Sequence, residues 1–363
     1  MSNRVSRRLT RRNFVRAAGL TGLAAVAAAC SPATRSSTPG GSRASSAPTP
    51  FTINKDAAKA EGKVVGYGSM ITSLEDALRQ ILQAHDSLPY EFVRIPTQAA
   101  LITRVDTEQN AGVHSVDFLD NDTSSLDYVA GEGFLQKMPE EIWQRVPESW
   151  RDPKGYWVGW FQTMEGWIYN TQLVSPADAP KTQNDLLDPK WKGKIALASP
   201  VVNDTFARWF YFQQKQLGQD AADKFFHALA AQRVTLFDSG LTVSTNVNQG
   251  QFAIGLGFLT HVLSVGGPGG HMAYMPLNPQ PATTSAISLL KQQPHPNAAL
   301  VLADAMIGQE FLQKVADLGY KVPLSGAHSA LPGVDSLTTQ MMPTIPDAEA
   351  DKFNAYLKGI FAR

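Results

Sequence analysis

The sequence predicts an α/β protein of two lobes, in which helices cover largely parallel sheets. From Gly62 onward, short β-branched segments alternate with amphipathic ones, which is typical of βα units rather than of a sandwich or a helix bundle. The chain has 363 residues, 43% of them hydrophobic, which is enough for two cores. The stretch from Tyr156 to Tyr169 is rich in aromatic and β-branched residues, and we expect it to cross between the lobes.

The individual elements follow from the spacing of apolar residues. Leu74, Leu78 and Ile81, for example, recur at helical spacing directly after a β-branched segment. In the first lobe we predict strands 63–67, 91–95 and 116–119, with helices 74–82, 99–110 and one ending near 129. In the second lobe we predict strands 194–198, 234–237 and 252–257, with helices 205–216 and 220–231. The second crossing is predicted as strand 283–290 followed by helices 298–307 and 310–318. No short internal repeat is visible, which excludes solenoids and propellers.

The amino terminus has the layout of an export signal, with basic residues followed by an apolar stretch and small residues. The arginines are Arg4, Arg7, Arg8, Arg11, Arg12 and Arg16, and no acidic residue precedes Cys30. Residues Thr10 to Arg16 resemble a twin-arginine signal, which directs folded proteins across the membrane. An ordinary secretory signal with an arginine-rich start is the alternative.

Cys30 is the only cysteine, so the chain can form no internal disulfide and no cysteine-based zinc or redox site. The preceding residues, Ala27 to Ala29, resemble a bacterial lipobox, although Ala27 stands where leucine is usual. We expect Cys30 to carry a lipid, the alternative being a stray thiol in a discarded signal. Residues 31–50 are rich in Ser, Thr, Pro, Gly and Ala, as expected of a tether.

These patterns predict a domain order along the chain. We expect a signal peptide at 1–29, a disordered tether at 30–55, the first lobe at 56–165 and the second lobe at 166–280. Residues 281–363 are expected to return to the first lobe and to end in C-terminal helices.

Composition and motifs argue against several classes of function. The 32 basic residues only balance the 32 acidic ones, and no basic stripe interleaved with aromatic residues suggests nucleic-acid binding. No His-Glu-x-x-His motif occurs, Ser69 lacks a Gly-x-Ser-x-Gly setting, and the seven histidines are scattered. We therefore expect neither an enzyme nor a protein with a resident cofactor.

The segment Asp185 to Ala198, reading DLLDPKWKGKIALA, is the most distinctive in the chain. Together with Ile168 to Thr171, Val247 to Leu256 and Pro294 to Ala299, it resembles the iron(III)-type branch of the periplasmic solute-binding proteins of ABC importers. The resemblance spans about Gly62 to Pro323. It implies a type II periplasmic-binding-protein fold whose lobes close on a small ligand, outside the cytoplasm. It further implies that the protein serves an ABC permease and its ATPase. We expect a monomer that is held to the membrane by the lipid on Cys30.

Open α/β sheets bind ligands beyond the carboxyl ends of their strands, where helix N-termini attract anions. Four loops and one later residue fit this rule. The candidate ligand-binding residues are Tyr67, Gly68, Ser69, Met70, Asp120, Asn121, Asp122, Val201, Asn203, Thr205, Ser239, Gly240, Leu241, Thr242 and Thr260. Thr205 and Thr242 could equally be ordinary helix caps, and Asp120 and Asp122 could be solvated turn residues. For Trp160 and Phe161 we favour core packing.

The chain departs from the iron-binding members at their metal ligands. Those members use adjacent tyrosines soon after the strand that corresponds to 252–257, whereas Phe258 to Val262 contain none. We therefore expect an organic anion such as a phosphonate, sugar phosphate or carboxylate. One alternative is Fe(III) or another metal ion, and Asp120, Asp122 and His261 are the candidate metal ligands. A second alternative is a ligand-sensing lipoprotein that signals to a receptor kinase.

Overall fold

The computed structural model describes residues 52–95 and 97–361, which form an α/β fold. The predicted signal peptide, Cys30 and the tether up to residue 51 lie outside these described residues. The strands are β1 (Val64–Gly68), β2 (Tyr90–Arg94), β3 (Phe118–Asp122), β4 (Leu135–Gln136), β5 (Trp157–Asn170), β6 (Ile195–Ala198), β7 (Thr235–Phe237), β8 (Ile254–Phe258), β9 (Met272–Tyr274), β10 (Gln280–Leu290) and β11 (Thr339–Met341).

The helices lie between these strands and after them. They are α1 (Lys55–Glu61), α2 (Thr72–Asp86), α3 (Gln98–Asn110), α4 (Thr123–Gly131), α5 (Glu140–Trp143), α6 (Asp204–Leu217), α7 (Gln219–Ala231), α8 (Gly240–Asn248), α9 (His261–Ser264), α10 (Pro296–Met306), α11 (Gln309–Asp317) and α12 (Asp347–Phe361). Within the described part of the chain, none of the helices has both the length and the apolar character needed to span a bilayer.

Strand β5 joins two sheets. The strand order is β2-β1-β3-β10-β5-β8-β6-β7, with parallel pairing between β1 and its two neighbours and between β6 and its two neighbours. The first half of β5, up to Met164, pairs antiparallel with β10, and the second half, from Glu165 to Tyr169, pairs antiparallel with β8. The long crossing segment expected at 156–169 is therefore a single strand shared by both lobes.

The first lobe comprises β1 to β4, the first half of β5, β10 and the helices α1 to α5, α10 and α11. Its sheet has an apolar core on each face, because neighbouring residues along a strand point to opposite sides. Val64 and Phe118 face one core, which α2, α10 and α11 cover. Val65 and Leu119 face the other, which α3 and α4 cover.

The second lobe comprises the second half of β5, β6 to β9 and the helices α6 to α9. Aromatic residues dominate its core. The indole rings of Trp167 and Trp209 meet edge to face with centroids 5.7 Å apart, and Phe210 packs on Trp209 at 5.2 Å. Such contacts stabilise the lobe beyond the area that they bury.

The end of the chain packs on the second lobe. We expected residues 281–363 to return to the first lobe and to end in C-terminal helices, and residues from Leu331 to Phe361 contribute to the core of the second lobe. The apolar face of α12 causes this placement: Phe361 stacks edge to face on Phe210 at 5.0 Å, and the hydroxyl of Tyr356 donates to Asp223 at 2.9 Å. The chain therefore passes between the lobes a third time.

Most of the long elements lie within about two residues of the predicted bounds, whereas short elements were missed. Strands β4, β9 and β11 and helices α5 and α9 have two to four residues each, which is too short to show a periodic pattern. Strand β3 extends to Asp122 and pairs with β10, although its polar residues Asp120 to Asp122 were expected to form a loop.

The packing of α12 on the second lobe can be tested at Leu357, which is fully buried. We expect Leu357→Ala to lower the free energy of unfolding by about 2–5 kcal/mol, because it removes buried methyl groups and leaves a cavity. Urea unfolding monitored by tryptophan fluorescence measures the change. The exposed neighbour provides the control: Lys358→Ala should change stability by less than about 0.5 kcal/mol. Equal effects of the two variants would contradict the packing of α12 on the second lobe.

Candidate ligand-binding cleft

A cleft of about 590 Å³ lies between the two lobes. Hydroxyl and amide side chains dominate its lining, together with one guanidinium and three carboxyl groups. The lining residues are Ser69, Thr97, Gln98, Ala99, Asn121, Asp122, Thr163, Glu165, Val202, Asn203, Asp204, Thr205, Arg208, Phe258, Thr283 and Ser285. Both lobes and both long strands, β5 and β10, contribute to this lining.

Three helix N-termini face the cleft, and their free N–H groups carry partial positive charge. Helix α3 presents its cap Thr97, whose hydroxyl accepts from Ala100 N at 3.3 Å. Helix α4 is capped by Asp122, whose Oδ1 accepts from Ser124 N at 2.8 Å. Helix α6 is capped by Asn203, which accepts from Phe206 N at 3.4 Å. The cleft is therefore suited to oxygen-rich, anionic groups.

The only ion pair across the described part of the cleft joins Arg208 of α6 to Asp122 at the end of β3. Arg208 Nη1 donates to Asp122 Oδ2 at 3.0 Å, and the two side chains are 12% and 14% exposed. Arg208 Nη2 donates to the carbonyl oxygen of Met342, also at 3.0 Å. A guanidinium this far from water needs such partners, because an unpaired buried charge is costly.

Glu165 lies at the base of the cleft, on β5, and is completely buried. Thr283 Oγ1 donates to Glu165 Oε1 at 3.3 Å, while Oε2 has no hydrogen-bond partner. Burial raises the pKa of Glu165 to about 8, against the opposing attraction of Arg208. The side chain is therefore mainly a neutral carboxylic acid at neutral pH.

Asp120 is 1% exposed and is committed to the first lobe. The indole N–H of Trp160 donates to Asp120 Oδ1 at 2.9 Å. Burial raises the pKa of Asp120 to about 7, although this indole and the backbone N–H groups of Met70 and Ser69 stabilise the carboxylate. Trp160 itself is fully buried, in agreement with the expected core packing.

Five of the fifteen predicted ligand-binding residues line the cleft. They are Ser69, Asn121, Asp122, Asn203 and Thr205. The other ten, which are not among the lining residues, are Tyr67, Gly68, Met70, Asp120, Val201, Ser239, Gly240, Leu241, Thr242 and Thr260. Of the four predicted loops, three thus direct some of their side chains toward the space between the lobes, and the loop at 239–242 directs none.

Two residues of the first loop have structural contacts instead. The ring of Tyr67 lies under Arg104 at 4.2 Å, and its hydroxyl contacts Glu108 and Ser115. A Cβ at Gly68 would lie 2.1 Å from the carbonyl oxygen of Asp120. We expected Gly68 to let the backbone approach a ligand closely. Its lack of a side chain instead lets the neighbouring strand β3 pack closely against β1.

The candidates on the second lobe are also engaged in local contacts. Ser239 caps α8 by accepting from Thr242 N at 3.1 Å, and Leu241 is 56% exposed. Thr260 is buried at the start of α9. His261 Nδ1 lies 2.7 Å from Ser244 Oγ, and burial lowers the pKa of His261 to about 4, so the imidazole is neutral.

The candidate metal ligands Asp120, Asp122 and His261 are not brought together. Asp120 contacts Trp160, Asp122 contacts Arg208, and His261 contacts Ser244. Over residues 52–95 and 97–361, no group of three or more His, Cys, Asp or Glu side chains is arranged to hold a metal ion.

Several lining residues were not predicted, but two of them leave a signal in the sequence. Glu165 is a lone acid in the otherwise uncharged stretch from Trp157 to Asn170, and a charge in a buried strand calls for a partner. Thr97 follows β2 and caps α3, so it lies in a loop between a strand and a helix N-terminus, as the predicted binding residues do. Arg208 lies one turn into α6 and has no such signal in the sequence. Only the structure shows that it contacts Asp122 in the cleft.

Comparison with known proteins identifies the family. A family model described as bacterial extracellular solute-binding protein matches residues 118–347, which is more than half of the chain. The protein therefore belongs to this family. Iron uptake protein A1 of Synechocystis sp. is 36% identical over 69 residues, a segment amounting to 19% of this chain and 19% of that protein.

Solved structures share the fold. Iron-bound HitA from Pseudomonas aeruginosa superimposes with a TM-score of 0.67 at 18% identity, covering 82% of this chain and 99% of that chain. The binding protein AfuA from Actinobacillus pleuropneumoniae, with exogenous fructose-6-phosphate bound, has a TM-score of 0.64 at 18% identity, covering 83% and 98%. The two-lobe type II periplasmic-binding-protein fold expected from the sequence is thereby confirmed.

The raised pKa of Asp120 predicts a pH-dependent stability. Between the ordinary value of 3.8 and about 7, the folded state holds a proton that the unfolded state has released. The free energy of unfolding should therefore fall as pH rises through this range, by at most about 1.4 kcal/mol per pH unit from this group.

The variant Asp120→Asn should lack this part of the pH dependence, whatever constant cost the amide adds. Urea unfolding of both proteins at about pH 4.5, 6 and 7.5 measures the difference in slope. Parallel pH profiles of the two proteins would show that Asp120 is ionised throughout.

Proposed function

We propose that the protein is the substrate-binding component of an ABC importer and captures a small organic anion between its lobes. A phosphonate, a sugar phosphate or a carboxylate fits this class. The observation that carries the proposal is the convergence of three helix N-termini and Arg208 on one cleft lined by hydroxyl and amide groups. These groups are hydrogen-bond donors suited to the oxygens of such anions.

Two of the three carboxyl groups among the described lining residues are poorly suited to hold a cation. Glu165 is neutral at neutral pH, and Asp122 has one carboxylate oxygen on the cap of α4 and the other on Arg208. Asp204 is exposed in the first turn of α6. When the lobes separate, Asp122 moves away with the first lobe and Arg208 loses this contact. An anion that reaches Arg208 would take the place of Asp122 in balancing its charge.

The donor groups favour an organic anion over iron. Fe(III) requires anionic oxygen ligands, and none of the described residues lining the cleft is a tyrosine. Of the two solved structures named above, HitA is iron-bound and AfuA holds fructose-6-phosphate. The hydroxyl, amide and guanidinium groups of this cleft resemble what a phosphate ester needs more closely than what a ferric ion needs.

Lobe closure would transmit binding to the importer. Contacts that a ligand makes with both lobes exist only in the closed form, so binding shifts the population toward that form. We propose that the permease and its ATPase recognise the closed shape of a monomer. We further propose that the protein acts outside the cytoplasm, after export by the twin-arginine route, and that a lipid on Cys30 holds it at the membrane.

The ligand can be identified directly. The protein is purified without added ligand and denatured, and the released molecules and metals are measured by mass spectrometry and metal analysis. We expect a stoichiometric organic anion that raises the thermal stability of the emptied protein when it is returned. Stoichiometric iron would replace this proposal with an iron importer.

The role of Arg208 can be tested with the recovered anion as the probe. We expect Arg208→Gln to weaken binding at least about a hundredfold, because the cleft loses the one guanidinium among its described lining residues and a charge-assisted hydrogen bond. Isothermal titration calorimetry measures the affinity. The control is Lys215→Gln, which removes an exposed positive charge from the same helix and should leave affinity within about twofold. Equal losses in both variants would argue against a direct role of Arg208.

A further inference from the structure

Two complementary groups at the base of the cleft lack partners. Glu165 Oε2 and Arg208 Nε are both buried and make no hydrogen bond. An unsatisfied buried donor or acceptor costs about 1–3 kcal/mol, so two such groups in the lining of one cleft require an explanation. Arg208 is also the strongest attractive charge acting on Glu165. Glu165 and Arg208 are therefore close enough to attract each other but are not joined by a hydrogen bond.

The contact with Asp122 accounts for this separation. Arg208 directs Nη1 to Asp122 and Nη2 to the carbonyl oxygen of Met342. Met342 belongs to the core of the second lobe, as do the neighbours of Arg208 on α6. Asp122 ends β3 of the first lobe. Of the two contacts, the one with Asp122 joins α6 of the second lobe to a side chain of the first lobe.

We propose that Glu165 is a positioning residue for anion binding, and that Glu165 and Asp122 are alternative partners of Arg208. With the lobes together, Asp122 holds Arg208 and Glu165 keeps its proton. When the lobes separate, Glu165 releases that proton to water and its carboxylate pairs with Arg208. An arriving anion displaces the carboxylate from Arg208, and Glu165 takes a proton back from water. This last step rests on the proposed function, whereas the exchange of partners does not.

The charges around Glu165 give the direction of this coupling. Arg208 from α6 lowers the pKa of Glu165, and Asp122 from β3 raises it. The elements beside Glu165 add no charge: β8 contributes Phe258, and β10 contributes Thr283 and Gln280. Loss of Asp122 thus removes a repulsion and leaves Arg208 unopposed, and both changes favour the ionised form of Glu165.

The exchange can be tested without any ligand. Infrared difference spectra of the full chain, recorded against Glu165→Gln, isolate the C=O band of protonated Glu165 and follow it with pH. We expect Asp122→Asn to shift the titration of this band down by at least about one pH unit. The asparagine keeps the cap of α4, so the variant should fold. Glu91→Gln, which removes an exposed carboxyl group, should leave the band unchanged. An unshifted titration in Asp122→Asn would overturn the proposal.

A second experiment measures the proton that accompanies an anion. Sulfate is the probe, because its charge does not change between about pH 6 and about pH 9. Calorimetric titrations in buffers of different ionisation enthalpy should show uptake of up to about one proton per sulfate near neutral pH. The uptake should vanish in Glu165→Gln while binding remains.

Each outcome of these titrations has a separate meaning. Unchanged proton uptake in Glu165→Gln would overturn the role of Glu165 and leave the proposed function standing. Sulfate binding without proton uptake in the unaltered protein would do the same. Failure of sulfate to bind at all would count against anion binding at Arg208, and the infrared titration would still decide on the exchange of partners.

Discussion

Strand β5 is the constraint on which the rest of the structure depends, because its hydrogen bonds belong to two sheets at once. Its partner changes from β10 to β8 between Met164 and Glu165. The amide of Gln280 donates to the carbonyl oxygen of Glu165 at 2.9 Å, which ties the beginning of β10 to the same point. Each sheet is therefore anchored to one half of a continuous strand, and the space between the lobes opens beside the junction. Side chains at this junction form the base of the cleft.

The charges at that base depend on how the lobes approach each other. Arg208 is supplied by the second lobe, Asp122 by the first, and Glu165 by the strand that belongs to both. A buried guanidinium needs an anionic partner, and burial raises the pKa of Glu165 to about 8, so Asp122 is the carboxyl group that Arg208 contacts. Helix α12 packs onto the second lobe from the end of the chain, so α6 and its arginine are held on both sides by apolar packing.

Much of the fold could be predicted because long elements leave a periodic signal. The helices α2, α3, α6 and α7 follow from apolar spacing over many residues, and most of the longer strands follow from short β-branched segments. Short elements such as α9 leave no such signal. The end of β3 resembled a loop because residues 120–122 are polar, although they pair with β10 inside the sheet. The cleft itself was predicted in part. Caps such as Asn203 follow a local rule, whereas Thr283 and Ser285 face the cleft only because β10 crosses beneath it.

The sequence by itself determined the α/β class, the two-lobe plan and the loops that lead into helix N-termini, because these depend on local spacing and on turn and cap chemistry. Only the tertiary structure decided which side chains share the cleft, where α12 packs, and that Arg208 meets Asp122 beside a buried Glu165. Those features join residues far apart in the chain, and no local pattern records them. Contacts of this kind depend on the distance between the lobes. The protonation of Glu165 depends on burial, which raises the pKa of its carboxyl group through loss of water.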